Sequence, residues 1–393
     1  MSSLRADAIR LHKEHQGKIA IRSKVPVNDS NDLSLAYTPG VAEPCIEINR
    51  NADLVYDYTS KGNLVAIVSD GTAVLGLGNI GPLAAIPVME GKAILFKTFA
   101  NVDAFPICLN TTDTDKIVET VKMIEPVFGG INLEDIAAPQ CFEIESRLKK
   151  ECSIPIFHDD QHGTAIVTAA GLINALKLVN KALSDIVVVI NGAGAAGVAI
   201  SKLLHRMGVG DLILCDTKGP IYEGRQVGMN RIKQEVAEIT NAKHVKGSLE
   251  DALRGADVFI GVSAAGALTE GMVKLMSQDP VIFAMANPVP EIMPEIAKKA
   301  GARIVGTGRS DFPNQINNVL AFPGVFRGAL DVRAKGINEE MKMAAVVAIA
   351  SLVSSEELAE DFIIPNPYDP RISVAVAKAV ADAAISTGVA QVY

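Results

Sequence analysis

Two acidic pairs carry the first chemical signal in this chain. Glu134 and Asp135 sit in "GINLEDIAAP", and Asp159 and Asp160 in "IPIFHDDQHGT". Carboxylate oxygens that converge without a thiolate partner suit a hard divalent cation, Mg2+ or Mn2+. Each pair also has a plainer reading. Glu134-Asp135 reads as a solvated turn or helix cap, and Asp159-Asp160 as the cap of a helix starting near Gly163. His158 and His162 stand four apart, but no Glu follows His158 and no third ligand is near, so a zinc-protease site is rejected. Lys92 in "VMEGKAILFK" opens an apolar run read as a strand, where desolvation would bring its pKa toward that of a general base. Tyr37 falls on a loop in "LAYTPGVAEPC", broken by Pro39, Gly40 and Pro44. A surface lysine and a packing tyrosine are the plain alternatives for these two.

Two segments match Gly-x-Gly-x-x-Gly, and context separates them. "GAGAAG", with Gly192, Ala193, Gly194, Ala195, Ala196 and Gly197, follows the strand-like "DIVVVI" and opens the helical "GVAISKLLHRMG". Gly192 permits the turn, Gly194 lets backbone approach a pyrophosphate, and Gly197 lets helix and strand pack closely. The next strand ends in Asp216, placed to accept from the adenosine ribose hydroxyls. That carboxylate would repel a 2′-phosphate and favours NAD over NADP, with Lys218 two residues on as a possible offset. The other match, Gly76, Gly78 and Gly81, is followed at once by Pro82 and Pro87, where a pyrophosphate-binding helix should run. It is expected to be a close-packed turn.

These motifs need elements to hold them. A chain of 393 residues exceeds the ~250–300 at which one core stops growing, so two domains are expected. From about residue 164 helices and strands alternate, which implies a parallel, doubly wound sheet. The expected class is α/β: a smaller N-terminal α/β domain over 1–160, then a Rossmann-type NAD(P)-binding domain over 161–393 with a helical C-terminal tail. Within the first domain the reading gives an N-terminal helix over 4–16 and strands at "NLVAIVSD" and "AILFK". A helix from Asp113 or Thr114 is closed by Gly129-Gly130.

The bulk numbers exclude several classes. A net charge of −8 with no basic stripe argues against nucleic acid. Five scattered cysteines with no Cys-x-x-Cys spacing argue against a disulfide framework or thiolate zinc site. The N-terminus has no signal-like apolar core, and the apolar "MAAVVAIASLV" is far short of a ~20-residue span. The expectation is a cytoplasmic protein with no membrane partner.

Laid side by side, these segments resemble the malic enzymes, in their short bacterial-type form. The resemblance runs from "LAYTPGVAEPC" to "NNVLAFPGVFRGALD" and takes in "VSDGTAVLGLGNIG", "VMEGKAILFK", "NLEDIAAP", "FHDDQHGT", "GAGAAG" and "FAMANPVPE". It implies oxidative decarboxylation of malate with NAD or NADP and Mg2+ or Mn2+, in a homodimer. Tyr37 is then similar to the family's general acid and Lys92 to its base. Glu134, Asp135 and Asp160 resemble the metal ligands, with Asp159 a supporting carboxylate behind them. Asn287 and Asn318 resemble the asparagines that contact substrate and the nicotinamide side. One departure is visible: Ala73 stands where the long eukaryotic-type enzymes carry a carboxylate-gripping arginine. Lys61 or a neighbouring subunit is a candidate for that task. A malolactic-type enzyme and an NAD(H)-sensing module that does no chemistry are the alternatives.

Overall fold

The computed structural model describes residues 2–392, in one parallel sheet and one that is parallel except for its edge strand. Ahead of the first sheet lie helices α1 (Ser2–His15), α2 (Ser30–Ala36) and α3 (Ala42–Arg50). The sheet itself is built from β1 (Leu64–Ser69), β2 (Asp103–Cys108), β3 (Gly130–Leu133) and β4 (Ile156–His158), in the order β2-β1-β3-β4. Three helices connect its strands: α4 (Gly81–Ala100), α5 (Thr114–Ile124) and α6 (Gln140–Glu151). All pairings in this sheet are parallel, and β1 and β3 are nearly all buried, as a sheet covered on both faces requires.

A single wide turn, Asp159–Gly163, leads directly into α7 (Thr164–Val179) and the second sheet. That sheet contains β5 (Val187–Asn191), β6 (Asp211–Asp216), β7 (Gly219–Pro220), β8 (Val258–Gly261), β9 (Val281–Ala284) and β10 (Ile304–Thr307). Its order, β10-β9-β8-β5-β6-β7, reverses direction at β5, the topological switch point where such sheets bind ligands. Helices α8 (Ala195–Arg206) and α9 (Arg231–Ala237) belong to this half. The tail supplies α10 (Phe322–Asp331), α11 (Glu339–Ser351) and α12 (Arg371–Ser386). The expected division at 160/161 falls inside the wide turn. The tail reaches back across it: Phe322 and Phe326 of α10 pack edge-on against Phe96 of α4, with ring centroids 4.7 and 5.3 Å apart.

Two expectations are corrected here. "AILFK" is helix, not strand, and belongs to the 20-residue α4. Pro82 did not forbid that helix, because in the first turn its missing N–H has no partner to lose; Pro87 is accommodated within. The stripe Ala85, Met89, Lys92, Phe96 at helical spacing is the buried face. Likewise α5 ends at Ile124, ahead of Pro126, and Gly130 already belongs to β3. Its N-cap is Asp113, whose carboxylate accepts from the N–H of Asp115 and Lys116. The stretch Asp159–Val179 is long and apolar enough to cross a membrane by length and composition, but most of its apolar part is buried inside the protein. It serves as the central core helix.

Candidate active site at the carboxylate cluster

Lys92 reaches the site from the buried face of α4. Its ammonium donates to Asp159 Oδ2 at 2.6 Å and lies 2.9 Å from Glu134 Oε1. The Phe322 ring lies beneath it, centroid 4.3 Å away. Glu134 directly follows β3. Asn132, two residues earlier and so on the same side of the strand, donates from Nδ2 to Glu134 Oε2 at 2.8 Å. Asp135 takes a left-handed conformation, φ 54°, which turns its N–H onto Asp160 Oδ2 at 2.8 Å. The wide turn thus delivers Asp159 to Lys92 and Asp160 to Asp135. Such turns at the head of a helix are frequent at functional sites.

Ligand oxygens of Glu134, Asp135 and Asp160 all lie within 4.8 Å of one another. Glu134 and Asp159 are buried, as is Lys92. Burial raises the pKa of Glu134, Asp159 and Asp160, since one lysine cannot offset so many carboxylates packed together. Burial pulls Lys92 down, but Asp159 and Glu134 outweigh it and hold the ammonium charged. One positive charge facing three carboxylates, Glu134, Asp159 and Asp160, leaves a deficit that costs several kcal/mol per buried ion if left uncompensated. A dication bound by hard oxygen donors is the group that fits this deficit.

The second glycine segment makes the tight turn between β5 and α8. Gly192 has φ 121°, and a Cβ there would lie 2.4 Å from the Val262 carbonyl oxygen. A Cβ on Gly197 would come within 1.8 Å of the Gly192 oxygen, whereas Gly194, the N-cap of α8, faces open space. Gly192 thus takes the turn and Gly197 the close packing, while Gly194 leaves the head of α8 open. The first segment has another role. A helix does follow Gly81, and Gly76 lets the chain approach the Asn287 carbonyl, 2.5 Å from where a Cβ would stand. It joins the two sheets' loops across the cleft.

Residues 16–149 match the malic enzyme N-terminal domain family, and residues 161–385 the malic enzyme NAD binding domain family. The chain belongs to the malic enzyme family. It is 70% identical over 390 residues to the bifunctional malic/malolactic enzyme of Bacillus subtilis (strain 168), covering 99% of this chain and 95% of that one. It is 59% identical to the NAD-dependent malic enzyme of Geobacillus stearothermophilus, covering 95% and 78%. Against the NADP-dependent malic enzyme of Escherichia coli (strain K12) the identity is 50%, covering 95% of this chain and 51% of the longer relative. Among solved structures, the NAD-dependent malic enzyme of Thermotoga maritima superposes with a TM-score of 0.92 at 51% identity, covering 95% and 98%. The α/β fold with its two sheets and helical tail is thus the malic enzyme fold.

Of the residues that malic enzyme motifs single out, the structure brings Lys92, Glu134, Asp135, Asp159 and Asp160 together. Asn318 joins them: its Cβ lies 3.1 Å from where a Cβ on Gly163 would stand. Asn287 is exposed on the loop after β9. Tyr37 stays apart. It follows α2, is 66% exposed, and its hydroxyl has no hydrogen-bond partner among the described residues. Lys61 is committed elsewhere: it is buried, and its ammonium donates to the carbonyls of Glu125 at 2.9 Å and Phe128 at 2.7 Å. It is therefore not available to hold a substrate carboxylate.

Asp216 is also engaged differently from expectation. Its carboxylate accepts from both guanidinium nitrogens of Arg225, from Lys233 Nζ at 2.6 Å and from the Lys218 N–H at 2.8 Å. Burial pushes its carboxyl up, but Arg225 and Lys233 prevail and hold it at about 2. Sequence reasoning missed both partners, because they lie 9 and 17 residues downstream across an irregular loop. Also missed was the buried Glu291, whose carboxylate accepts from the Ser263 N–H at 2.8 Å and the Ala286 N–H at 3.0 Å. It ties the loop after β8 to the loop carrying Asn287. Asn132 was legible in principle, since it shares a strand face with Glu134.

Proposed function

We propose that this chain catalyses the divalent-metal-dependent oxidative decarboxylation of (S)-malate to pyruvate and CO2 with reduction of NAD(P)+. The observation that carries the reading is the buried charge deficit around Lys92, next to a dinucleotide cradle. A dication held by Glu134, Asp135 and Asp160 would supply Lewis acidity at the C2 oxygen of malate, and the nicotinamide would take the C2 hydride. With a dication on Glu134, Asp135 and Asp160 offsetting the carboxylates that otherwise hold the Lys92 ammonium charged, Lys92 in its neutral form would accept the C2 hydroxyl proton. Asp159 and the face of Phe322 fix the direction from which it does so. Asn132 keeps one Glu134 oxygen turned away from Lys92. Loss of CO2 from C4 leaves an electron pair at C3, and Tyr37 supplies the proton that ends there.

Tyr37 reaches a site from a second copy of the chain in this reading. Its own segment exposes a run of apolar side chains, with Ile21 91%, Leu35 70%, Val25 58% and Leu33 50% exposed. Such a patch on a monomer marks an interface, and a symmetric homodimer is the simplest arrangement that covers it. Mixing inactive Tyr37→Phe and Lys92→Ala chains tests this: activity should reappear in the mixed dimer, and a mixture that stays inactive refutes delivery in trans.

The NAD preference suggested by Asp216 loses its basis once Arg225 and Lys233 neutralise that carboxylate. Both cofactors are expected to serve. Initial rates of malate oxidation with NAD+ and NADP+, each with and without Mn2+, test the whole reading; a rate indifferent to Mn2+ would overturn it. A second outcome is favoured by one observation, the 70% identity to a relative named as bifunctional malic/malolactic. Lactate formed from malate without accumulation of reduced cofactor at 340 nm would identify that activity.

A further inference from the structure

Behind the carboxylate turn lies a second cleft, of about 1160 Å3. It is bounded by α6, α8 and α9 and by the first turn of α11. None of the carboxylates around Lys92 and none of the three cradle glycines lines it. Gln161 and His162 do, from the back of the same turn that presents Asp159 and Asp160 on its other side.

The lining is cationic in an acidic protein. Seven lysine and arginine side chains face four glutamates there, whereas the whole chain carries −8. Arg147 and Arg206 pair with Asp115 and Glu340 outside the lining, and two of the other cations are weakly matched. Lys150 has no ion pair among the described residues, and Lys202 approaches Glu235 only at 3.5 Å. Lys342 is 3% exposed, with its ammonium 2.6 Å from Glu339 Oε1 and 3.1 Å from His162 Nδ1. An ammonium can only donate, so Nδ1 of His162 accepts from Lys342, while Nε2 lies between Glu145 at 2.8 Å and the Lys149 ammonium at 3.3 Å. A last donor is unused: Gln161, 4% exposed, has an Nε2 with no hydrogen-bond partner. A buried cation and an orphaned amide donor at the floor, with surplus cations at the rim, form the complement of a multiply charged anion.

We propose that this cleft is a second binding site, for a small polyanion bearing carboxylate or phosphate groups. The anion's charged end lies toward Lys342 and Gln161, and Lys150 and Lys202 meet its outer charges. The site is independent of the nicotinamide cradle, since it uses the outer face of α8 rather than its N-terminus.

Calorimetric titration of tripolyphosphate, and separately of citrate, into full-length protein dialysed free of metal and saturated with NADPH tests the proposal. One anion per chain is expected to bind, and the tighter of the two identifies the group recognised. The double variant Lys150→Glu, Lys202→Glu alters two exposed rim residues outside the catalytic machinery. It should weaken binding by at least about tenfold, roughly 1.4 kcal/mol, with malate oxidation unchanged. Lys342→Met should abolish binding while NADPH still binds. Absence of heat with both anions, or equal affinity in the rim variant, overturns the proposal.

Discussion

Gly163→Ala gives opposite outcomes under two physical accounts. Gly163 has helical backbone angles, φ −61° and ψ −47°. By propensity alone, alanine there should stabilise the helix start by up to about 1 kcal/mol. The site geometry says otherwise. A Cβ on Gly163 would stand 1.8 Å from Asp159 Oδ1 and 2.9 Å from its Cγ, with the Cβ of Asn318 blocking retreat at 3.1 Å. The carboxylate has to move, and what it leaves is the 2.6 Å bond to Lys92. A charge-assisted hydrogen bond is worth about 1.5–3 kcal/mol, and Glu134 stays near Lys92, so the full ~3–5 kcal/mol of a broken buried pair is not lost. At about 1.4 kcal/mol per decade, kcat/KM for malate should fall roughly ten- to hundredfold. The assay is malate-dependent NAD(P)H formation at saturating Mn2+, run beside urea unfolding, for Gly163→Ala, Asp159→Ala and the double variant. Both single changes remove one interaction, so the double should be scarcely worse than either. A Gly163→Ala protein as active as the parent and more stable, or full additivity of the two changes, refutes the reasoning.

Glu291→Gln should cost about 1–3 kcal/mol in urea unfolding, because an amide NH2 would then face the Ser263 or Ala286 N–H in a buried site. The KM for cofactor should rise with it, and an unchanged KM would separate Glu291 from cofactor positioning. Asp160→Asn should raise the Mn2+ concentration for half-maximal rate by tenfold or more, on the order of one lost ligand; an unchanged requirement removes Asp160 from the ligand set. The Asp216 carboxyl, held below its unfolded value, adds stability that is present above about pH 4 and is lost as pH falls toward 2. Asp216→Asn should therefore flatten the stability profile in that window, measured by urea midpoints, and a profile of unaltered slope counts against the clamp.

Much of the architecture was legible because it rests on local patterns. The βαβ unit with its glycines and the alternation after residue 164 each follow from periodicity and turn chemistry, and the structure places them as expected. Lys92 was harder. Its short apolar neighbourhood fits a strand or a helix, and an apolar run of that length does not separate the two. The stripe from Ala85 to Phe96 would have corrected it, with the lysine inside a buried face as the signal. The carboxylates could be nominated from their spacing, but only the fold brings β3, the wide turn and α4 to one point. Lys61 and Asp216 show the opposite limit. What a charged side chain does depends on partners supplied from distant loops, Glu125 and Phe128 for one, Arg225 and Lys233 for the other.

The wide turn that presents Asp159 and Asp160 runs without a break into α7, and most residues of that helix are fully enclosed. A loop-borne centre can loosen while its scaffold survives. Here the carboxylates of the proposed metal site share the cooperative unit of a deeply buried helix. Thermal inactivation should accordingly coincide with global melting, with no inactive but folded stage below it, and the chain's working temperature range is set by its core.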